Sequence, residues 1–150
     1  GIMKGSARQS IVKAFTEKLK EIDGTGNYEA KLFNNVEAKL KFWDEVNDFP
    51  YVSVTAANES REYLPGGFEW GFIVINVRVY VQQDDSQEAL EVVVSDIERC
   101  IRDNRELIYG SLEQGQTTTD ISLLSIETDG GLLNPLGIGE MVFLIQYQII

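Results

Sequence analysis

Between Phe68 and Gln83 the odd positions Ile73, Ile75, Val77, Val79 and Val81 make one unbroken apolar face. The even positions begin as Phe68, Trp70, Phe72 and Val74 and end as Asn76, Arg78, Tyr80 and Gln82. A repeat of two is the period of a β-strand. The second half is an ordinary half-buried strand, while the first half carries aromatics on its other face. At about 3.3 Å per residue the run reaches on the order of 50 Å, roughly twice what a single-domain core needs. The strand is therefore predicted to run past the core, leaving its aromatic start for another surface to cover.

Two other stretches have the three-to-four spacing of amphipathic helices. Ala7, Ile11, Ala14, Phe15, Leu19 and Ile22 predict a helix over 6–22, opened by Ser6-Ala7-Arg8-Gln9 with capping-box spacing and closed by Gly24-Thr25-Gly26. Ala89, Leu90, Val93, Val94, Ile97, Cys100 and Ile101 predict a second helix, from Asp85 to about Asn104. Residues 28–42 alternate apolar and polar, with Asn34-Asn35 as a turn between strands. A helix through Leu32, Val36 and Leu40 fits the same residues. Tyr51–Thr55 reads as a strand after Pro50, and 56–67 as a loop ending in Pro65-Gly66-Gly67. Leu107, Ile108, Tyr109 and Leu112 fall in a loop or short turn. Ile121–Thr128 is a strand with a bulge at Leu123-Leu124, Asp129–Gly139 is a loop, and 140–150 is a final strand that is apolar on one face. The order predicts an α+β domain: one mostly antiparallel or mixed sheet, two helices on one face, and a long hairpin or strand extension.

The chain has 150 residues, which predicts a single domain. Gly1-Ile2 ahead of Met3 reads as an expression remnant. There are 24 acids against 13 bases, for a formal charge of −11, so tight binding of nucleic acid by phosphate neutralisation is not expected. The surplus of acid suits solubility, and equally a wall beside which DNA passes without being held. The lone Cys100, lying on the apolar stripe of the second helix, predicts a core residue and fits a reducing compartment. No segment has the length and hydropathy of a membrane span, and no signal peptide opens the chain.

Histidine is absent, which removes imidazole general bases and the familiar triads. One cysteine alone does not build a zinc site. Acids gather at Asp44, Glu45 and Asp48, at Asp84-Asp85, and at Glu127 with Asp129. Paired carboxylates can hold Mg²⁺ or Ca²⁺ or run glycosidic chemistry. However, Asp84-Asp85 begins a helix, where acids cap the N-terminus. The other pairs sit at turns, where solvation or an interface role is the simpler reading. Neither metal, cofactor nor catalytic residue is therefore assigned.

Trp43-Asp44-Glu45-Val46-Asn47-Asp48-Phe49-Pro50-Tyr51-Val52-Ser53-Val54 resembles a segment of the tail terminator proteins of long-tailed bacteriophages, the lambda type. The long strand Trp70–Val81, the helix from Asp85, and the ending Asp129-Gly130-Gly131 followed by Glu140–Tyr147 match that family's order. The chain is longer over 105–119 and 130–139, and its Pro-Gly-Gly loop has no clear counterpart. The resemblance implies a structural virion protein rather than an enzyme, at the tail–head junction, assembled in the bacterial host cytoplasm. It implies a homo-hexameric ring, formed in solution or only on the tube. That ring caps the tail tube protein, stops its polymerisation, meets a head-completion or neck protein, and lets DNA through its lumen without tight binding. Candidate interface residues are Trp43, Asp44, Glu45 and Phe49 at the polar corner, Arg61 and Glu62 before the Pro-Gly-Gly, Phe68, Trp70 and Phe72 on the long strand, and Asp129. Arg61 and Glu62, with Glu59, would form ion pairs between subunits or simply a solvated loop. Another neck or head–tail completion protein is an alternative of the same class. A small-ligand-binding module or a carboxylate-dependent enzyme using Glu45, Asp48 or Asp129 is one of a different class.

Overall fold

The structure is a computed structural model that describes residues 6–110 and 115–149. Gly1-Ile2, Leu112 and the last strand residue, Ile150, lie outside the described residues. Helix α1 spans Ala7–Leu19 and helix α2 spans Ser86–Arg102. The predicted box opens α1: Gln9 N–H donates to Ser6 Oγ at 3.2 Å, and Ser6 N–H donates to Gln9 Oε1 at 3.1 Å. It ends three residues earlier than the periodicity suggests, because Glu21 and Ile22 bond back to the carbonyls of Lys18 and Leu19 in a tighter turn. Ile22 stays buried although it is no longer helical. Helix α2 is capped by Asp85, whose carboxylate accepts from Glu88 N–H at 3.1 Å.

The main sheet holds β1 (Val36–Glu37), β2 (Tyr51–Leu64), β3 (Phe68–Gln82), β6 (Asp120–Thr128) and β7 (Leu136–Ile149). Their order is β1-β2-β3-β7-β6. The β1–β2 pair is parallel and every other pair antiparallel, so the sheet is mixed. Two short strands, β4 (Ile108–Tyr109) and β5 (Gln116–Thr117), form a separate ribbon, with Tyr109 buried. The odd residues of β3 from Ile73 to Val81 are all buried, as their spacing predicts. They share one core with Ile11, Phe15 and Leu19 of α1, and with Leu90, Val93, Ile97 and Cys100 of α2. Both helices therefore cover one face, and the fold is α+β.

Three stretches differ from their sequence pattern. First, 56–64 is the outer arm of β2 rather than loop, and Pro65-Gly66-Gly67 alone makes the turn to β3. Gly66 and Gly67 take φ of +89° and +83°, a region where residues with a Cβ are strained. Second, 28–42 contributes only two residues to the sheet. Ala30, Leu32 and Val36 are buried, but Leu40 and Phe42 are more than half exposed. This segment is held from outside. The buried Asp96 carboxylate accepts from Glu29 N–H at 2.9 Å and from Ala30 N–H at 2.7 Å. Anchoring of this kind leaves no long ladder for the alternation to join. Third, β7 begins at Leu136, inside the predicted loop, and Gly139 pairs with both Val79 and Thr128. A Cβ on Gly137 would lie 2.8 Å from Val81 Cγ2, and one on Gly139 3.0 Å from Leu90 Cδ1. Those glycines let the strand pass close beneath α2. The predicted bulge in β6 is present, between Leu123 and Ser125.

Among the described residues the helix-free face of the sheet is covered at one end only. Tyr80 Oη donates to the Lys41 carbonyl at 2.6 Å, and Ser53 Oγ donates to that of Lys39. These bonds draw 39–49 across the sheet, where Val46 packs with Tyr51 and Tyr80 in a second small core. Towards the hairpin this face stays open.

Candidate interaction surfaces

Five of the ten expected interface residues lie together on the β2–β3 hairpin. Antiparallel register puts Glu62 opposite Trp70, Ser60 opposite Phe72 and Leu64 opposite Phe68. Trp70 and Phe72 are half-buried on the helix-free face, and Phe68 is 54% exposed at the tip. Sequence reasoning missed the other apolar residues of the tip, Tyr63 and Leu64, both exposed. The clue to them is their position just before Pro-Gly-Gly, mirroring Phe68 just after it. Because 56–62 has no apolar alternation, the strand leading to them does not announce itself.

Arg61 is engaged inside the hairpin. Its guanidinium donates to Glu59 Oε2 at 2.6 and 2.8 Å and to Glu69 Oε1 at 3.0 Å. Glu59 also accepts from Tyr147 Oη at 2.8 Å. Burial by itself would raise the Glu59 carboxyl, but bonds from Arg61 and Tyr147 more than offset this and hold it below its ordinary value. Burial, then the hydrogen bond to Glu59, pushes the Tyr147 phenol up to about 12. This cluster fixes the arm to β7, so the aromatics on the opposite face are presented by a braced strand pair. Glu62 remains exposed and free of these contacts.

Trp43, Asp44, Glu45 and Phe49 gather at the opposite end of the sheet. Trp43–Glu45 is one turn of 3-10 helix, with Trp43 56% exposed. Glu45 Oε1 accepts from Phe42 N–H at a long 3.4 Å. Phe49 packs half-buried against Val46, Tyr51 and Tyr80. Exposed Leu40 and Phe42 enlarge this apolar corner. Asp129 is in neither group. Its carboxylate accepts from Ile138 N–H at 2.9 Å and Leu133 N–H at 3.1 Å, closing the loop between β6 and β7. Burial works to raise its pKa, but those backbone donors and Gln87 keep it depressed.

Among the described residues no cluster of three or more Cys, Asp and Glu is placed to hold a metal ion. No described helix is long and apolar enough to cross a membrane. The described surface carries two separated groups of exposed apolar side chains, one at each end of the sheet. Residues 5–149 match the family model described as Bacteriophage Tail Tube Terminator Protein. The chain is 35% identical to the tail tube terminator protein p142 of Escherichia phage T5 over 150 aligned residues, covering 94% of this chain and 93% of that protein. With the family matched over nearly the whole length, this chain belongs to the bacteriophage tail tube terminator proteins.

Proposed function

We propose that this protein sits at the end of the phage tail tube as a ring of six copies. There it ends tube polymerisation and presents a fresh surface to a head-completion or neck protein. The observation that carries the reading is the braced hairpin, which holds Phe68, Trp70 and Phe72 beyond the helix-covered core, where none of them is fully buried among the described residues. A closed ring needs two unlike patches on each subunit, and a cap needs a third contact to the tube. The hairpin and the Trp43–Phe49 corner, at opposite ends of the sheet, supply unlike surfaces. Glu62 beside Trp70, and Asp44 and Glu45 beside Trp43, supply the polar rims of those patches, and Asp129 holds the N–H of Ile138, which packs against the core beneath the second of them. The net charge of −11 suits a lumen through which DNA passes without being held. Assembly would take place in the host cytoplasm, on the finished tube.

The test is native mass by light scattering across concentration, followed by negative-stain imaging of the protein mixed with purified tail tubes. Six-membered rings seated on one tube end are the expected result. Binding to a neck complex but never to a tube end would assign the protein to another part of the head–tail joint.

A further inference from the structure

Residues 36–41 keep the alternation of a strand, with Val36, Ala38 and Leu40 apolar and Glu37, Lys39 and Lys41 polar. Only Val36–Glu37 is paired, parallel to Val52 and Ser53 of β2. The bonds from Glu29 and Ala30 to Asp96, and the turn closed by Asn35 N–H on the Leu32 carbonyl, hold the residues before Val36 and not those after it. The chain nevertheless leaves the sheet at Ala38, and Leu40 stands 55% exposed.

The ladder it leaves continues on β2. Val52 N–H donates to the Asn35 carbonyl at 2.8 Å, so Val54 and Ala56, two and four residues on, turn their N–H groups to the same edge. Among the described residues no strand pairs with β2 on that side beyond Ser53. Continuing the register of Val36 with Val52 sets Ala38 opposite Val54 and Leu40 opposite Ala56. Ala56 lines a groove of about 500 Å³ under α1, together with Val12, Lys13, Thr16, Val36 and Ala38. Strand side chains repeat every two residues, so in that register Leu40 shares the face of Val36 and points into this groove.

Polar bonds hold the segment on the other side of the sheet. The Lys39 carbonyl, which the continued ladder would give to Ala56 N–H, accepts from Ser53 Oγ instead, and the Lys41 carbonyl accepts from Tyr80 Oη at 2.6 Å. Lys41 Nζ lies 4.9 Å over the Tyr51 ring and 3.8 Å from Glu37 Oε1. Against these bonds stand an exposed leucine and an unpaired strand edge, both of which favour the ladder.

We propose that residues 38–41 are a strap with two seats. In the outer seat they cross the helix-free face. In the inner seat β1 lengthens to Leu40, the Lys39 carbonyl passes from Ser53 Oγ to Ala56 N–H, and Leu40 fills the groove under α1. Leu40 and Val46 are six residues apart, a reach of about 20 Å, so Val46 keeps its place against Tyr51 and Tyr80 in both seats. The move withdraws Leu40 from the apolar corner and uncovers the hydroxyls of Ser53 and Tyr80, so each seat shows a partner a different surface at that end of the sheet. One chain suffices for it, and it is independent of ring formation.

Two experiments on the purified full chain test this. In Ser53→Ala with Tyr80→Phe the outer seat loses both hydroxyl donors. Hydrogen exchange at the Ala56 amide is expected to slow at least about tenfold against the parent. Adding Leu40→Ser returns it to the parent rate, because serine gains little from the groove. Unchanged or faster exchange at Ala56 in the double variant, or slow exchange that survives Leu40→Ser, overturns the proposal. The second experiment keeps the outer bonds intact. Val12→Cys with Leu40→Cys places two thiols on opposite sides of the sheet in the outer seat and together in the inner one. Under mild oxidation an intrachain disulfide is expected, forming at the same rate across a wide range of protein concentration while the melt stays cooperative; Cys100 is fully buried and stays reduced. Two thiols that take up maleimide but never join, or that join only between chains, overturn the proposal.

Discussion

The Tyr147 ring occupies the space over Gly71: a Cβ built on Gly71 would stand 2.4 Å from Tyr147 Cε1 and 2.6 Å from Cζ. The two are register partners on β3 and β7, and Tyr147 uses the clearance to reach Glu59 on β2. One missing methyl group thus ties three strands together at the base of the hairpin arm.

Gly71→Ala is therefore expected to destabilise the fold by about 1–3 kcal/mol through overpacking. Most of that loss should vanish in a Tyr147→Ala background, where the methyl has room. Urea unfolding of the four proteins of the cycle measures the coupling, and additive losses would show that the ring and the glycine do not clash.

Glu59 gives the fold a defined acid sensitivity. Its folded pKa is lower than the ordinary 4.5, so between the two values the unfolded chain binds the proton more tightly. The stability it contributes is complete above about pH 4.5 and is lost as pH falls through the lower folded value. Asp129, also depressed, adds in the same direction from its ordinary 3.8 downwards. Unfolding midpoints measured from pH 6 to pH 3 should fall less steeply for Glu59→Gln than for the parent, at about the same protein concentration. Parallel curves would remove Glu59 from the account.

Asp96→Ala leaves the N–H groups of Glu29 and Ala30 without their buried acceptor. A loss of about 2–3 kcal/mol is expected. Hydrogen exchange should quicken at those two amides first, and Asp96→Asn, which keeps an accepting oxygen, should lose less.

Trp70→Ala with Phe72→Ala is expected to abolish tube-end capping while the cooperative melt survives. Both side chains are half-buried on the helix-free face and neither belongs to the main core. Loss of the cooperative transition in calorimetry would instead make them core residues.

Cys100 is fully buried, and burial raises its thiol pKa above the ordinary 9.0. Labelling by a maleimide at neutral pH should therefore track global unfolding, and its rate should respond to urea with the full slope of the equilibrium transition. Rapid labelling of the native protein would indicate local opening between α1 and α2.

The sequence by itself determined the elements whose periodicity is enforced by burial. The apolar odd face of β3, the stripe of α2 and the box at Ser6 are each local patterns, and each appears where its spacing places it. The over-long aromatic run at Phe68–Phe72 was legible for the same reason: a strand of that length exceeds a core of this size. The tertiary structure alone decided the rest. Residues 56–62 are polar and become strand only because β3 offers them a ladder; backbone pairing does not depend on which side chains they carry. Residues 28–42 alternate like a strand, yet the fold hands the N–H groups of Glu29 and Ala30 to Asp96, nearly seventy residues away in sequence, and those of Leu32 and Asn35 to the carbonyls of Ile22 and Leu32, so only two residues join the sheet. The candidate interface residues were visible as exposed-looking aromatics and acids. Their division into a hairpin group, a corner group and a loop-closing Asp129 follows from sheet order, which no local pattern encodes.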